Sequence, residues 1–143
     1  MKEKVLETLT ELGFELEPIE ELGYEFDYET THLMYVPDKK DEDFLVICVP
    51  GIYEIEEKYP WVFMELANRL NTSLKYIKAY PMKESLWLFY ERELMSEEDF
   101  LIVIPQIIAH LDIAVPLAHE ILTEIKKKYE RDELDEDDIM DFE

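Results

Sequence analysis

Glycine is scarce in this chain, with three in 143 residues, and none of the three lies in a loop that could cradle a phosphate. The Gly-rich nucleotide-binding fingerprints are therefore absent. Cysteine is scarcer. Cys48 stands alone, so no internal disulfide can form, and a reducing compartment is compatible with that. It sits within an apolar run and reads as a small buried hydrophobe, a poor place for a nucleophile. Positive charge is also short: 14 basic residues face 36 acidic ones, for a net charge of -22. Such a surface repels phosphate backbones and anionic membranes, which argues against nucleic-acid and membrane partners and attracts a basic one at long range. The three serines, Ser73, Ser85 and Ser96, are not in a nucleophile-elbow context. The N-terminal Met1-Lys2-Glu3-Lys4 lacks the apolar segment of a secretory signal, and no apolar run reads as long enough to span a bilayer, so a cytoplasmic protein is expected.

What is present points to one folded domain. The chain is 48% hydrophobic and 35% charged, and long enough to bury a sizeable core. Val5, Leu6, Leu9 and Leu12 make an amphipathic helix over 2–12, followed by Gly13 beyond the C-cap. Phe14 to Leu22 reads as a connection, because Pro18 argues against a central strand. Tyr24, Phe26 and Tyr28 alternate with acidic residues, as in a half-buried strand, and His32 to Val36 is the next. Asp43 to Val49 is the third strand, and its run Phe44 to Val49 is apolar throughout, which suggests a central position closed by Pro50-Gly51. Val62, Phe63, Leu66, Ala67 and Leu70 form one face of a helix over 57–71, with Pro60 in its first turn. Leu74 to Tyr80 and Ser85 to Glu91 form a hairpin across the turn Pro81-Met82-Lys83-Glu84. In its second strand Leu86, Leu88 and Tyr90 oppose Trp87 and Phe89, so both faces are apolar. Such a strand is covered on both sides, or one side awaits a partner.

Ser96-Glu97-Glu98-Asp99 resembles a capping box opening the last helix. Its apolar stripe runs from Phe100 to Ile125. Pro105 and Pro116 lie about three turns apart on nearly the same side, so the helix bends one way or breaks in two. Leu101, Ile102, Ile113 and Leu117 fall off the stripe, and either the sheet wraps them or a second chain packs on them. Residues 1–129 thus form a single α+β domain. From Glu130 to Glu143, nine acidic residues and one arginine read as a solvated, flexible tail, or as a docking segment through Ile139, Met140 and Phe142.

No catalytic, cofactor or metal site is expected. His110 and His119 point to opposite faces of a continuous helix, and the acidic Asp135-Glu136-Asp137-Asp138 lacks the glycine and spacing of an EF-hand. Aromatic residues offer the other candidates. Tyr76, Tyr80, Trp87 and Phe89 are core, or they anchor a bound helix or extended peptide, with Leu101, Ile113 and Leu117 as a second patch.

The order helix, three-strand meander, helix, hairpin, long helix resembles the YbjN-like family, whose fold is that of type III secretion chaperones. Ala67-Asn68-Arg69-Leu70-Asn71, Lys78-Ala79-Tyr80, and Leu88 to Glu91 leading into Ser96-Glu97-Glu98 carry the likeness, which spans the chain to about Ile125. Pro105 and the acidic tail depart from it. The resemblance implies a five-stranded antiparallel sheet with helices packed on one face, a homodimer, and a non-enzymatic role in holding or regulating a segment of another protein. Two other classes stay open: an acidic, immunity-type inhibitor of a basic target, and an enzyme or small-ligand carrier using carboxylates in a cleft.

Overall fold

The computed structural model describes residues 1–95 and 97–140, with side chains through 131. Three helices, α1 (Lys2–Glu11), α2 (Pro60–Ser73) and α3 (Phe100–Met140), accompany one antiparallel sheet. Its strands are β1 (Glu17–Ile19), β2 (Gly23–Tyr28), β3 (Thr31–Tyr35), β4 (Phe44–Glu54), β5 (Ile77–Met82) and β6 (Ser85–Glu93), in the order β1-β2-β3-β4-β6-β5. The α+β class and the antiparallel sheet match expectation, but the sheet has six strands and not five. The additional one is β1. It is three residues long, too short to show alternation, and it carries Pro18. A proline fits there because β1 is an edge strand with a free side.

The longest strand also departs from its expected end. Pro50-Gly51 does not close β4. The strand continues to Glu54 across a register shift between Val49 and Tyr53, opposite Leu88 and Leu86 of β6. Gly51 takes φ +57°, a left-handed conformation suited to glycine, and Pro50 sits where the ladder is already interrupted. Gly23 is required for a different reason. A Cβ there would lie 2.2 Å from the Tyr35 carbonyl oxygen, so β2 and β3 approach as closely as they do only with glycine.

Alternation divides the sheet into two unlike faces. Phe26, Leu33, Tyr35, Leu45, Ile47, Leu86, Leu88 and Tyr90 point to the helices and join the main core. All three helices bury their apolar stripes in it: Val5 and Leu9 from α1, Val62, Leu66 and Leu70 from α2, and a long row from α3. Ile104, Ile107, Leu111, Ala114 and Ile125 of that row are at most 1% exposed. Full burial of each of the larger ones contributes about 1.5–3 kcal/mol. The other face carries a smaller cluster, Met34, Cys48 and Phe89, to which no helix contributes.

Helix α3 is continuous through both prolines. Pro105 is half-buried and Pro116 exposed, both away from the core. The carbonyls of Leu101 and Asp112, deprived of a helical donor, therefore fall on the wetter, convex side, where a helix tolerates the loss. Asp99 caps the start: its Oδ1 accepts the Leu101 N–H at 3.0 Å. The capping box expected at Ser96-Glu97-Glu98-Asp99 turns on Ser96, which lies outside the described residues. The acidic run 130–143 begins inside α3, and most of it lies beyond the described side chains. Within Phe100–Arg131 an 18-residue stretch reaches mean hydropathy 2.0, so by length and composition this helix could cross a membrane, contrary to the expectation of no such run. Two apolar arcs raise that value, one inward against the sheet and one outward.

Candidate functional site

The apolar face of the sheet is built by the side chains that alternation turns away from the helices. Tyr80 stacks on Phe89 with ring centroids 4.0 Å apart and planes within 8°, and Trp87 lies parallel to Phe89 at 5.9 Å. The stack is a consequence of register: Tyr80 pairs with Trp87 across β5 and β6, and Phe89 follows two residues after Trp87 on the same side. Phe89 then meets Cys48 of β4, which meets Met34 of β3. Val36, Val46, Leu22 and Met82 close around this tier and are themselves half-buried.

Charge borders the patch on both sides. Glu25 and Asp27 of β2 stand on the same face as Met34, and His32 bridges them: its Nδ1 is 2.7 Å from Asp27 and its Nε2 3.4 Å from Glu25. The hydrogen bond to Asp27, helped by Glu25 and opposed by partial burial, raises the His32 pKa above 6.5. On the far side the Tyr80 hydroxyl donates to Glu91 (2.8 Å), which also holds Lys78 (3.0 Å). Burial, and then the Glu91 acceptor, push the Tyr80 phenol well above its ordinary value. Burial likewise drives the Cys48 thiol up to about 12, so the sulfur at the centre of the patch is an apolar atom at neutral pH.

The residues singled out from sequence fall into three places. Tyr80, Trp87 and Phe89 come together as above. Tyr76 does not join them. It precedes β5 with φ +67°, a left-handed step that breaks the alternation and turns its ring to the helix side. There it stacks on Tyr90 at 5.9 Å, beside His110 at 6.1 Å. Leu101, Ile113 and Leu117 lie on the outer surface of α3, the first two 43% and 67% exposed. Leu22 and Met82 belong to the sheet patch but carried no signal: Leu22 sits in a turn, and Met82 ends β5 in a stretch that reads locally as a turn. Met34 and Cys48 were legible only as strand interior.

A hollow of about 880 Å³ opens between the start of α1, the β1–β2 turn and the loop after β3. Its wall includes Tyr24 stacked on Tyr35 at 6.3 Å, with the Lys2 ammonium 5.5 Å from the Tyr24 ring. The glutamates around it, Glu3, Glu20, Glu21 and Glu42, are all exposed to solvent. Among the described residues, no group of three His, Cys, Asp or Glu side chains is placed to hold a metal ion. Two carboxyls have clear downward shifts. Glu98 is stabilised as an anion by the Met95 N–H and Arg92, and Glu65 by Lys128 and Tyr129, against the larger single effect of burial.

One side-chain clamp ties α2 to the sheet edge beneath the aromatic tier. Asn71 Oδ1 accepts the Ala79 N–H at 2.7 Å, and its Nδ2 donates to the Ala79 carbonyl at 2.9 Å. The amide thus occupies the outer edge of β5 as a seventh strand would.

No family model matches this chain, and no curated protein sequence matches it. Solved structures do. YbjN from E. coli, a proposed transcription regulator, superposes with TM-score 0.64 at 11% identity, covering 84% of this chain and 92% of that one. An uncharacterized protein from Methanothermobacter thermautotrophicus superposes with TM-score 0.53 at 13% identity, covering 86% and 96%. At such identities the likeness speaks for the backbone arrangement alone: the chain has the YbjN-like fold.

Proposed function

We propose that this protein is a non-enzymatic protein-binding module, chaperone-like or regulatory, that holds an amphipathic segment of another protein on the helix-free face of its sheet. The observation that carries this reading is the stacked Tyr80–Phe89–Trp87 tier on a face that no helix of the chain covers; half-buried Tyr80 and Trp87 are its open part, over Phe89, Cys48 and Met34, which are at most 4% exposed. Flat aromatic surface at low conformational cost is what binding hot spots are made of. The segment carries apolar anchors flanked by Arg or Lys, because Glu25, Asp27, Glu91 and Glu93 occupy the same face and outnumber Lys78 and His32 there. The role of type III secretion chaperones, whose fold the YbjN-like family shares, is the same in kind.

The test is a peptide titration followed by Trp87 fluorescence in a Trp61→Phe background. Amphipathic peptides with flanking arginines should saturate the signal, and Trp87→Ser should weaken their binding by tenfold or more, as for loss of an aromatic anchor. Peptides that bind equally well to the Trp87→Ser protein, measured calorimetrically, would place the binding surface elsewhere.

A further inference from the structure

The hollow between α1, the β1–β2 turn and the loop after β3 has a tyrosine in its wall that the fold leaves unsatisfied. Tyr35 is 2% exposed, yet its hydroxyl has no hydrogen-bond partner among the described residues. A buried phenol ordinarily finds one, because an unpaired polar group keeps its full desolvation penalty. The side chain lines the hollow, and its oxygen is not sealed off inside the protein. Tyr24 stacks beside it with planes 20° apart, and the Tyr24 hydroxyl has no partner either. Register sets this pair side by side across β2 and β3. Gly23, whose missing side chain lets the Tyr35 carbonyl come close, holds the two strands together at this end.

The surroundings say what such a pair of phenols can bind. Glu3 of α1, Glu20 and Glu21 of the β1–β2 turn, and Glu42 of the loop after β3 stand around the hollow from three separate elements. None of the four has an ion-pair partner among the described residues. The fifth acid, Asp38, is engaged with its own loop, where its Oδ1 accepts the N–H groups of Lys40 at 2.9 Å and Asp41 at 3.1 Å. Five carboxyls thus face two lysines, Lys2 and Lys39, on a chain of net charge -22. An anion is opposed there and a cation is drawn in. The N-terminus of α1, which would favour an anion, carries Glu3 in its first turn. Between the charges the wall is apolar, with Ile19, Pro37 and Phe44. The chain itself shows how a cation lies here: the Lys2 ammonium sits 5.5 Å from the centre of the Tyr24 ring. At about 880 Å³ the hollow is of the size that takes a small organic molecule rather than a bare ion.

We infer that this hollow is a binding site for an organic amine, with ammonium groups carried on an aliphatic stem. One ammonium donates to the Tyr35 and Tyr24 hydroxyl oxygens, the stem lies along the rings, and further charge meets the glutamates at the mouth. The site goes beyond the sheet-face reading. It shares Leu22 and Val36 with the border of that patch and none of its aromatic tier.

The experiment is calorimetric titration of the full chain with spermidine at about 0.1 M salt, where diffuse attraction is largely screened. Binding should saturate at one molecule per chain. Tyr35→Phe should weaken it about tenfold or more, as for loss of a hydrogen bond to a charged group, and should not lower Tm, because the hydroxyl has no partner in the fold to lose. Lys2→Gln should act the other way and tighten binding, since it takes a competing cation off the Tyr24 ring. Hexaamminecobalt(III), with the charge of spermidine and no stem, should bind far more weakly. Absence of spermidine binding overturns the inference. So does binding that Tyr35→Phe leaves unchanged, or that hexaamminecobalt(III) matches, since either marks diffuse attraction to an acidic surface. Saturable binding of inorganic phosphate that Lys2→Gln weakens would make the hollow an anion site and overturn it as well. Trp87→Ser should leave the spermidine titration unaltered, so failure of this site and failure of the sheet-face reading are told apart.

Discussion

His32 shows how far a single side chain can be read in advance. In the sequence it is one of three histidines with no partner in view, and its acids, Glu25 and Asp27, lie on another strand. Register brings them together: Asp27 pairs directly with His32, and Glu25 with Met34 two residues on. The folded-state pKa is raised above the ordinary 6.5 by the Asp27 hydrogen bond first and Glu25 next. The stabilisation this provides is therefore full below about pH 6.5 and is lost as pH rises through the raised folded value. The side chain is 48% exposed, so the effect is modest. An NMR titration of the imidazole should show a midpoint above 6.5 that falls in Asp27→Asn, and His32→Gln should flatten the stability slope across neutral pH. A midpoint at or below 6.5 would mean the bridge does not persist in solution. Cys48 was the opposite case: an apolar neighbourhood in sequence is enough to expect a buried thiol. Tyr76 failed because alternation presumes extended backbone, and its φ of +67° is not visible in residue types other than glycine.

Between elements, Asn71 is the most informative contact. The residues that first suggested the YbjN-like arrangement, 67–71 and 78–80, turn out to be the two halves of one clamp, with the Asn71 amide satisfying both polar groups of Ala79. Asn71→Ala leaves that edge to water and unhooks α2 from β5. It should cost about 1–3 kcal/mol in urea unfolding; Asn71→Asp keeps the acceptor and loses the donor, and should fall between. No loss in either variant would show that water replaces the amide without penalty. The helices and the five expected strands were legible because each repeats its period over several turns or pairs. β1 was not, since three residues with a proline carry no period, and its pairing is decided by the turn over 20–22 that brings it beside β2. The end of β4 was missed for a related reason: Pro50-Gly51 is a stop signal locally, and only pairing with β6 carries the strand past it. The outward residues of α3 were legible as an excess over one stripe, but not which neighbour they lacked.

At the scale of the whole molecule, charge sets two effects of salt against each other, and their signs discriminate among the readings. A net charge of -22 opposes the compact state through self-repulsion. The ion pairs that favour it, Arg69–Glu124, Lys78–Glu91, Arg92–Glu98 and Lys128–Glu65, all have at least one partner well exposed or partly open to solvent, where such pairs contribute little. Raising salt from about 0.01 M to about 0.1 M shortens the screening length from about 30 Å to about 10 Å and relieves the repulsion first. Tm should therefore rise over this range; a fall would mean that the ion pairs outweigh the repulsion. Capture of an arginine-flanked segment on the sheet face should respond the other way, weakening moderately as the rim of Glu25, Asp27, Glu91 and Glu93 is screened while the aromatic tier holds. An acidic inhibitor acting through charge alone would lose its target steeply over that range. Peptide binding moderately weakened while the fold is stabilised is the combination expected of an apolar tier with an acidic rim on a chain of net charge -22.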